Sequence, residues 1–186
     1  MQLVKNTVET ARKLGEKAII STECGHGFKI IRKDAEEMLG EPLGVEVLSI
    51  VELAHRYWKE GKLKLKKGAI DERVTYHDPC NVGRKVDVYE PPRELLRDIC
   101  REYVEMEPHG IYSVCCAGGG SVAQNTDMGQ KRLANAKVKA DQIVETGATV
   151  VTTSCQMCLA QLADIQAHYK LPVDNKSVIE LVIQSL

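Results

Sequence analysis

The chain has 186 residues, of which 44% are hydrophobic, with 25 basic and 26 acidic side chains. It is long enough to bury a sizeable core, and its near-zero net charge gives no reason to expect a nucleic-acid partner. A single Phe and a single Trp also leave few rings on which single-stranded bases could stack.

The first third of the chain alternates helices and strands. The predicted elements are a helix over 6–14, a strand over 17–22, a helix over 28–39, a strand over 45–48 and a helix over 49–60. Ser49 and Glu52 form a capping box at the start of the last helix. The first strand runs directly into Cys24, so a thiol follows a strand end.

A basic segment at 61–68 is bracketed by glycines and is the best candidate for a domain boundary. The predicted elements beyond it are a strand over 74–76, helix 93–104, strand 111–114, helix 125–145, strand 149–153, helix 158–169 and a last helix capped by Ser177 and Glu180. Strands that alternate with helices predict an α/β fold, with a parallel sheet flanked by helices.

Two blocks of sequence recur in the same order. Block 17–27 aligns with 148–158 in its strand, its hydroxyl pair and its first cysteine, and 49–53 aligns with 177–181 in the capping box. We infer repeated βα modules, one half copy followed by one full copy. Gly27 replaces the second thiol in the half copy. We therefore expect a piece of a longer polypeptide, whose open sheet edge could support a homodimer.

Five of the seven cysteines follow predicted strands of the full copy. They are Cys80 in a His-Asp-Pro-Cys sequence, the adjacent Cys115 and Cys116, and Cys155 and Cys158 in a CxxC. The intervals contain 34 residues before Cys115 and 38 residues after Cys116. An odd number of cysteines around strand ends does not suit a disulfide framework, so we expect metal or redox chemistry.

The vicinal pair, the glycines after it and the CxxC resemble the cysteine-rich CCG domain of the B and D subunits of heterodisulfide reductases. The resemblance makes residues 1–66 the C-terminal half of a first, degenerate CCG module, and residues 67–186 a complete second module. Ala117 stands where the family has a glycine. In the family, a complete motif can hold a non-cubane 4Fe-4S iron-sulfur cluster that reduces a disulfide, and some copies bind zinc or no metal.

The resemblance implies a ligand set of five thiols: Cys80, Cys115, Cys116, Cys155 and Cys158. Five converging thiols suit a multinuclear centre better than a single zinc, because a vicinal pair cannot easily give both sulfurs to one tetrahedral ion. Some of these cysteines could instead be small buried residues. Cys158 lies at a predicted helix start, where the helix dipole would favour its thiolate.

The residues around these thiols have two interpretations each. Gly118, Gly119 and Gly120 could bring backbone N–H groups to a cofactor, or could form a plain turn. His77 and Asp78 are the candidate catalytic residues, since either could orient the site or supply a proton to a leaving thiolate, and turn formation is the alternative.

Charged residues and further cysteines lie outside the ligand set. Arg84 and Lys85 could attract an anionic thiol substrate or a partner protein, although solvated surface charge is the simpler explanation. Cys24 belongs to the degenerate copy. Cys100, inside the predicted helix 93–104, is expected to be a small core residue.

Our leading hypothesis is an iron-sulfur electron-transfer and disulfide-reducing domain of a heterodisulfide-reductase-like oxidoreductase, in sulfur metabolism. The resemblance extends to subunits of membrane-bound complexes, such as the K subunit of the complex linked to dissimilatory sulfite reductase. Related modules serve glycolate, lactate and glycerol-phosphate oxidation, and the sequence does not separate them. The chain has no closely spaced run of cysteines for the cubane clusters that normally feed such a site, so electrons would come from a missing N-terminal region or from another subunit of a redox complex.

Two other hypotheses remain open at this stage. The thiols could form a structural zinc module, or could act without metal as a redox switch that cycles between dithiol and disulfide. The chain has no run of about 18 apolar residues and its start is not a signal peptide. We expect a cytoplasmic location, peripheral at the inner face of a membrane if the partner complex is membrane-bound.

Overall fold

The computed structural model describes residues 2–119 and 122–186, and it contains two parallel β-sheets flanked by helices. The α/β prediction is therefore confirmed. Among the described residues, no helix has both the length and the apolar character needed to cross a bilayer.

The first sheet has two parallel strands. Its elements are α1 (Gln2–Leu14), β1 (Ala18–Ser21), α2 (Gly25–Lys29), a π-helical stretch (Ile30–Asp34), α3 (Ala35–Leu39), β2 (Glu46–Ser49) and α4 (Ile50–Lys59). Strands β1 and β2 pair with Ser21 opposite Ser49. The predicted helix over 28–39 is confirmed as helical, with a π-helical stretch in its middle.

The second sheet has four parallel strands in the order β4, β3, β5, β6. Its elements are β3 (Ile70–His77), α5 (Glu90–Ile99), β4 (Cys100–Glu105), α6 (Gly129–Asn135), α7 (Lys137–Thr146), β5 (Val150–Thr153), α8 (Gln156–Tyr169), β6 (Asp174–Ser177) and α9 (Val178–Gln184). Short 3-10 turns cover Gly110–Tyr112, Val122–Gln124 and Thr126–Met128.

Three predicted elements differ from the structure. The helix expected over 93–104 ends at Ile99, and Cys100 begins an edge strand instead. The strand expected over 111–114 is wrong, because Gly110–Tyr112 form a 3-10 turn followed by loop. The helix expected over 125–145 is divided at Ala136 into α6 and α7.

The order of the strands places two cysteine turns side by side. Strands β3 and β5 are direct neighbours, with His77 opposite Thr153. Both strands are parallel, so their carboxyl ends lie at the same edge of the sheet, which is where ligands bind in open α/β sheets. Cys80 and Cys155 follow these two strand ends and therefore approach each other.

The two halves of the chain share apolar contacts. Val51 of α4 belongs to the same buried cluster as residues of β3, α5 and α9, and Val82 and Val88 pack into the cluster around Phe28. The strand-helix-strand-helix order of β1 to α4 recurs in β5 to α9, each time with a capping box at the last helix. The division into one half copy and one full copy stays a prediction.

Candidate metal centre

Five thiols line one cavity at the carboxyl edge of the second sheet. They are those of Cys80, Cys115, Cys116, Cys155 and Cys158. Cys116, Cys155 and Cys158 are buried, Cys80 is half-buried and Cys115 is exposed. The group is therefore enclosed by protein on one side and open to solvent at Cys115.

Each of the five thiols lies near enough to another to shift its pKa. The interacting pairs are Cys80 with Cys115, Cys115 with Cys116, Cys116 with Cys158, and Cys158 with Cys155. The sulfurs of Cys116 and Cys158 are 3.4 Å apart. No thiol of the predicted set is isolated from the others, so all five can contribute to a single centre.

Three separate backbone segments supply the thiols. Cys80 follows β3 after a short turn, and Cys155 is the N-cap residue of α8, which places Cys158 in the first turn of that helix. Cys115 and Cys116 lie on a loop rather than at a strand end, which corrects the sequence prediction.

Side chains that follow β3 hold in place the loop that carries Cys115 and Cys116, which we call the vicinal-cysteine loop. The Gly110 N–H donates to Asp78 Oδ2 at 2.8 Å, and Arg84 Nη2 donates to the Ser113 carbonyl at 2.5 Å. Because side chains satisfy these backbone groups, the loop needs no strand partner. Arg84 is thus exposed and also bonded to this loop. Lys85 is exposed too; its N–H donates to the Cys80 carbonyl at 3.1 Å, and its own carbonyl accepts from Lys33 at 3.0 Å.

Asp78 is part of a buried ion pair. Both of its carboxylate oxygens accept from Arg93, each at 2.8 Å, and both side chains are 3% exposed. Burial alone would raise the pKa of Asp78, but the Arg93 guanidinium outweighs burial and holds the pKa below its ordinary value. Asp78 is therefore a carboxylate at neutral pH, suited to orienting the loop rather than to donating a proton.

His77 is buried and faces the thiols. Burial, followed by the positive charge of Lys139, lowers the pKa of His77 to about 3, so the ring is neutral at physiological pH. Its Nδ1 has no hydrogen-bond partner among residues 2–119 and 122–186. Ligand atoms of His77, Cys116 and Cys158 all lie within 4.8 Å of one another. Sequence reasoning missed this possible role of His77 as a ligand.

The five thiols do not titrate alike. Hydrogen bonds from Cys116 and Cys80 hold the pKa of Cys115 well below its ordinary value. Cys158 and the amides of Cys158, Gly25 and Met157 lower the pKa of Cys155 to about 5. The sequence predicts a favoured thiolate on Cys158, but hydrogen bonds with Cys116 and Cys155 raise the pKa of Cys158, and the lowered pKa belongs to Cys155.

The three glycines after the vicinal pair have different surroundings. A Cβ on Gly118 would lie 2.6 Å from the Gln161 Cβ, so only glycine lets the backbone approach α8 so closely. The Gly118 amide also donates toward Cys116. A Cβ on Gly119 would meet nothing within 4 Å, and Gly120 lies outside the described residues.

Ala117 has a φ of +67°, the left-handed conformation that favours glycine. This left-handed backbone conformation explains why the family has a glycine at this position. The Ala117 N–H donates to Cys115 Sγ at 3.3 Å. This conformation therefore turns an amide toward a thiol of the group.

The first half of the chain also contacts the thiols, which sequence reasoning missed. A Cβ on Gly25 would lie 3.3 Å from Cys155 Sγ, and the Gln156 N–H donates to the Glu23 carbonyl at 2.7 Å. The sequence offered a signal, because Gly25 and Gln156 are aligned in the two similar blocks 17–27 and 148–158. The turn at Cys24 therefore lies beside the turn at Cys155.

The two cysteines outside the predicted set lie away from this cavity. Cys24 is exposed, accepts from Gly27 N at 3.4 Å and lines a neighbouring cleft of about 360 Å³. Cys100 is buried in β4, as expected for a small core residue, and burial raises its pKa to about 12.

The donor chemistry fits an iron-sulfur group better than hard, oxygen-preferring ions. The cavity offers five sulfurs, and three backbone amides donate toward Cys155. Soft thiolates select zinc, Cu(I) and iron-sulfur clusters, and hydrogen bonds to sulfur stabilise their negative charge. The residues present can therefore hold such a group.

Comparison with known proteins gives a consistent result. The D subunit of dihydromethanophenazine:CoB–CoM heterodisulfide reductase from Methanosarcina acetivorans is 34% identical over all of this chain, which covers 44% of that protein. An Hdr-like menaquinol oxidoreductase iron-sulfur subunit from Archaeoglobus profundus is 26% identical over all of the chain, and 40% of its length is covered.

A probable membrane-anchored ferredoxin from Chromohalobacter salexigens is 29% identical over 88% of the chain and 24% of its own length. The chain thus spans less than half the length of these relatives. A family described as a cysteine-rich domain, CCG, matches residues 74–163, which include all five thiols of the cavity. Over residues 74–163, this chain is therefore similar to the CCG family of cysteine-rich domains.

Proposed function

We propose that this chain is an iron-sulfur electron-transfer and disulfide-reducing domain of a heterodisulfide-reductase-like complex. The observation that carries the proposal is the convergence of five thiols from three backbone segments on one cavity. A single tetrahedral ion would leave at least one of them without a role, whereas a cluster with several irons uses them all. The names of the relatives from Methanosarcina and Archaeoglobus support the same class of chemistry.

Cys80, Cys115, Cys116, Cys155 and Cys158 would hold the cluster, which we take to be of the non-cubane 4Fe-4S type. When bound, such a cluster supplies one-electron steps at a sulfur-sulfur bond. The protein keeps Cys115 and Cys155 as thiolates through the hydrogen bonds they accept.

Asp78 would orient the vicinal-cysteine loop through Gly110. His77 is neutral and buried against the thiols, so we assign it the task of orienting the site through its Nδ1; a ring whose pKa is lowered to about 3 holds no extra proton for a leaving thiolate at neutral pH.

A disulfide substrate would approach through the cleft beside the cavity. The cleft is lined by Cys24, His26, Gln124 and Met157, and it shares Cys155 with the cavity. A volume of about 360 Å³ is within the range of small-molecule sites. Arg84, exposed near the loop of Cys115, would attract an anionic substrate or a partner protein.

Electrons would come from another subunit or from another part of a longer chain. The relatives named as a heterodisulfide reductase subunit and as an iron-sulfur subunit support partners within a redox complex. A relative named as membrane-anchored supports a peripheral position at a membrane. Pairing of two copies through the edge of the first sheet is a further possibility, which light scattering would test.

Anaerobic purification followed by iron, acid-labile sulfide and zinc analysis tests the proposal. We expect iron and sulfide in equal amounts in the wild-type protein, and their loss in Cys116→Ser. Cys100→Ser is the matched control, because Cys100 lies outside the cavity, and it should retain the wild-type content. Stoichiometric zinc without sulfide would contradict the proposal.

The second candidate is a mononuclear zinc site, favoured by the proximity of His77, Cys116 and Cys158. Two thiolates and one imidazole are a known zinc ligand set. Cys80→Ser separates the two candidates, since it should abolish iron binding at a cluster but leave this zinc site intact. Absence of both metals, with a disulfide formed on oxidation between Cys115 and Cys116 or between Cys155 and Cys158, would instead favour the redox switch.

A further inference from the structure

Lys139 on α7 is a cation buried inside the protein. Its side chain is 1% exposed, and among the described residues its Nζ makes no salt bridge. Its nearest polar partner is Met106 Sδ, a weak acceptor at 3.6 Å. Fully buried lysines are rare unless they are paired, because removing an ammonium from water is costly.

Lys139 of α7 lies in sequence between Ala136 and Ala140, which belong to a buried cluster with Met106 and with Leu162 of α8, and Ala117 packs against that cluster. Ala117 directly follows Cys116, and Leu162 lies about one helical turn beyond Cys158.

Burial lowers the pKa of Lys139 to about 8, and negative charge on Cys116, Asp78, Cys115 and Cys158 acts in the opposite direction. Asp78 is already paired with Arg93, so its charge is largely neutralised. The neutral ring of His77 lies on the same side. The Lys139 charge is therefore placed to balance negative charge on the thiols of the vicinal pair and of the CxxC.

We propose that Lys139 is the internal counter-cation of the thiol centre, and that its charge favours the more reduced, more negative state of the group bound there. The inference rests on the proposed function and adds a positioning residue to it. A fixed positive charge in a buried site lowers the energy of each added electron, because solvent screens it poorly. Without this cation, the reduced state would hold the same negative charge with less compensation.

Lys139→Met keeps the length and apolar stem of the side chain but removes the charge. Lys137→Met is the matched control, since Lys137 lies two residues away on the same helix with 55% of its side chain exposed. Both variants would be loaded with iron and sulfide anaerobically, and the midpoint potential would be measured by a titration followed by electron paramagnetic resonance. The urea midpoint of the metal-free proteins is the second readout.

We expect Lys139→Met to lower the potential by at least a tenfold change in the one-electron equilibrium, about 59 mV, with no shift in Lys137→Met. The urea midpoint of metal-free Lys139→Met should rise, because an unpaired charge has left the core. A potential equal to that of the control, or a lower urea midpoint, would overturn the inference.

If Lys139→Met does not bind iron, Lys139→Arg shows whether the site needs the charge of Lys139 or its packing. Retention of iron by the arginine variant would support a need for the charge, and loss in both variants would overturn it in favour of packing. Failure of the wild-type protein to bind iron is a separate outcome, which refutes the proposed function itself.

Discussion

Replacing Arg93 by methionine should destabilise the fold beneath the thiol cavity. Arg93 pairs with both oxygens of Asp78, and its Nε donates to Glu105 at 2.9 Å. Methionine fills much of the same volume but leaves the Asp78 carboxylate buried without its partner. The loop that carries the vicinal cysteines is bonded to that carboxylate through Gly110, so the site and the stability should suffer together.

The magnitude follows from the geometry. Opposite charges about 4 Å apart interact by about 4 kcal/mol at an effective dielectric constant of about 20. Removing one partner of a buried ion pair costs about 3–5 kcal/mol in measured cases. We therefore expect Arg93→Met to lose about 3–5 kcal/mol of unfolding free energy in a urea titration at pH 7.

Acidification should reduce this loss. In the wild-type protein the pKa of Asp78 is lowered, so the pair stabilises the fold above the unfolded pKa and stops doing so as pH falls through the folded pKa. In Arg93→Met burial acts alone and raises the pKa of Asp78. The cost of the buried charge is then present at neutral pH and is relieved as pH falls, because the protonated carboxyl is neutral.

Arg97→Met is the control on the same helix. The Arg97 side chain is 51% exposed and pairs with Glu90 at 3.3 Å, so it should lose less than about 1 kcal/mol. Adding Asp78→Asn to Arg93→Met should recover part of the loss. A loss in Arg93→Met no larger than in Arg97→Met would refute the reasoning.

Three further changes test the backbone around the site. Gly118→Ala should lose about 1–3 kcal/mol in the same urea titration, because its Cβ would lie 2.6 Å from that of Gln161, whereas Gly119→Ala should match the wild type. Ala117→Gly should gain up to about 1 kcal/mol, since a φ of +67° suits glycine, and a loss of stability would contradict this explanation. Ser177→Ala removes the side-chain cap of α9 and should cost about 1 kcal/mol, so an unchanged thermal midpoint would count against the cap.

The sequence predicted those parts of the fold in which local signals and packing agree. Strand β5 is a run of buried β-branched residues, and the capping boxes at Ser49 and Ser177 marked two helix starts correctly. Strand β6, over Asp174–Ser177, was missed because its polar residues give no strand pattern. Hydrogen bonds to β5 make it a strand.

Tertiary hydrogen bonds account for another error. Ile111 and Tyr112 have the composition of a strand, but both are exposed, and the loop is held instead by Asp78 and Arg84. Propensity could not anticipate side-chain partners that lie some 30 residues away in sequence.

The sequence predicted which thiols form the site, but it did not predict which charged side chains are buried beside them. The spacing and the family resemblance pointed to the cysteines that now line the cavity. Arg93 and Lys139 were not singled out, because charged residues on amphipathic helices are ordinarily solvated. Only packing reveals that both are buried next to the thiol-bearing segments.

The central claim is that five thiols hold one centre, and cysteine-by-cysteine alkylation with mass spectrometry tests it most directly. The protein would be alkylated with and without bound iron and sulfide, with the exposed Cys24 as an internal reactive reference. We predict that Cys80, Cys115, Cys116, Cys155 and Cys158 all become protected on loading and reactive again when the metal is removed, while Cys24 reacts throughout. Protection of only two or three of them, with Cys80 or Cys115 still reactive in the loaded protein, would contradict the claim.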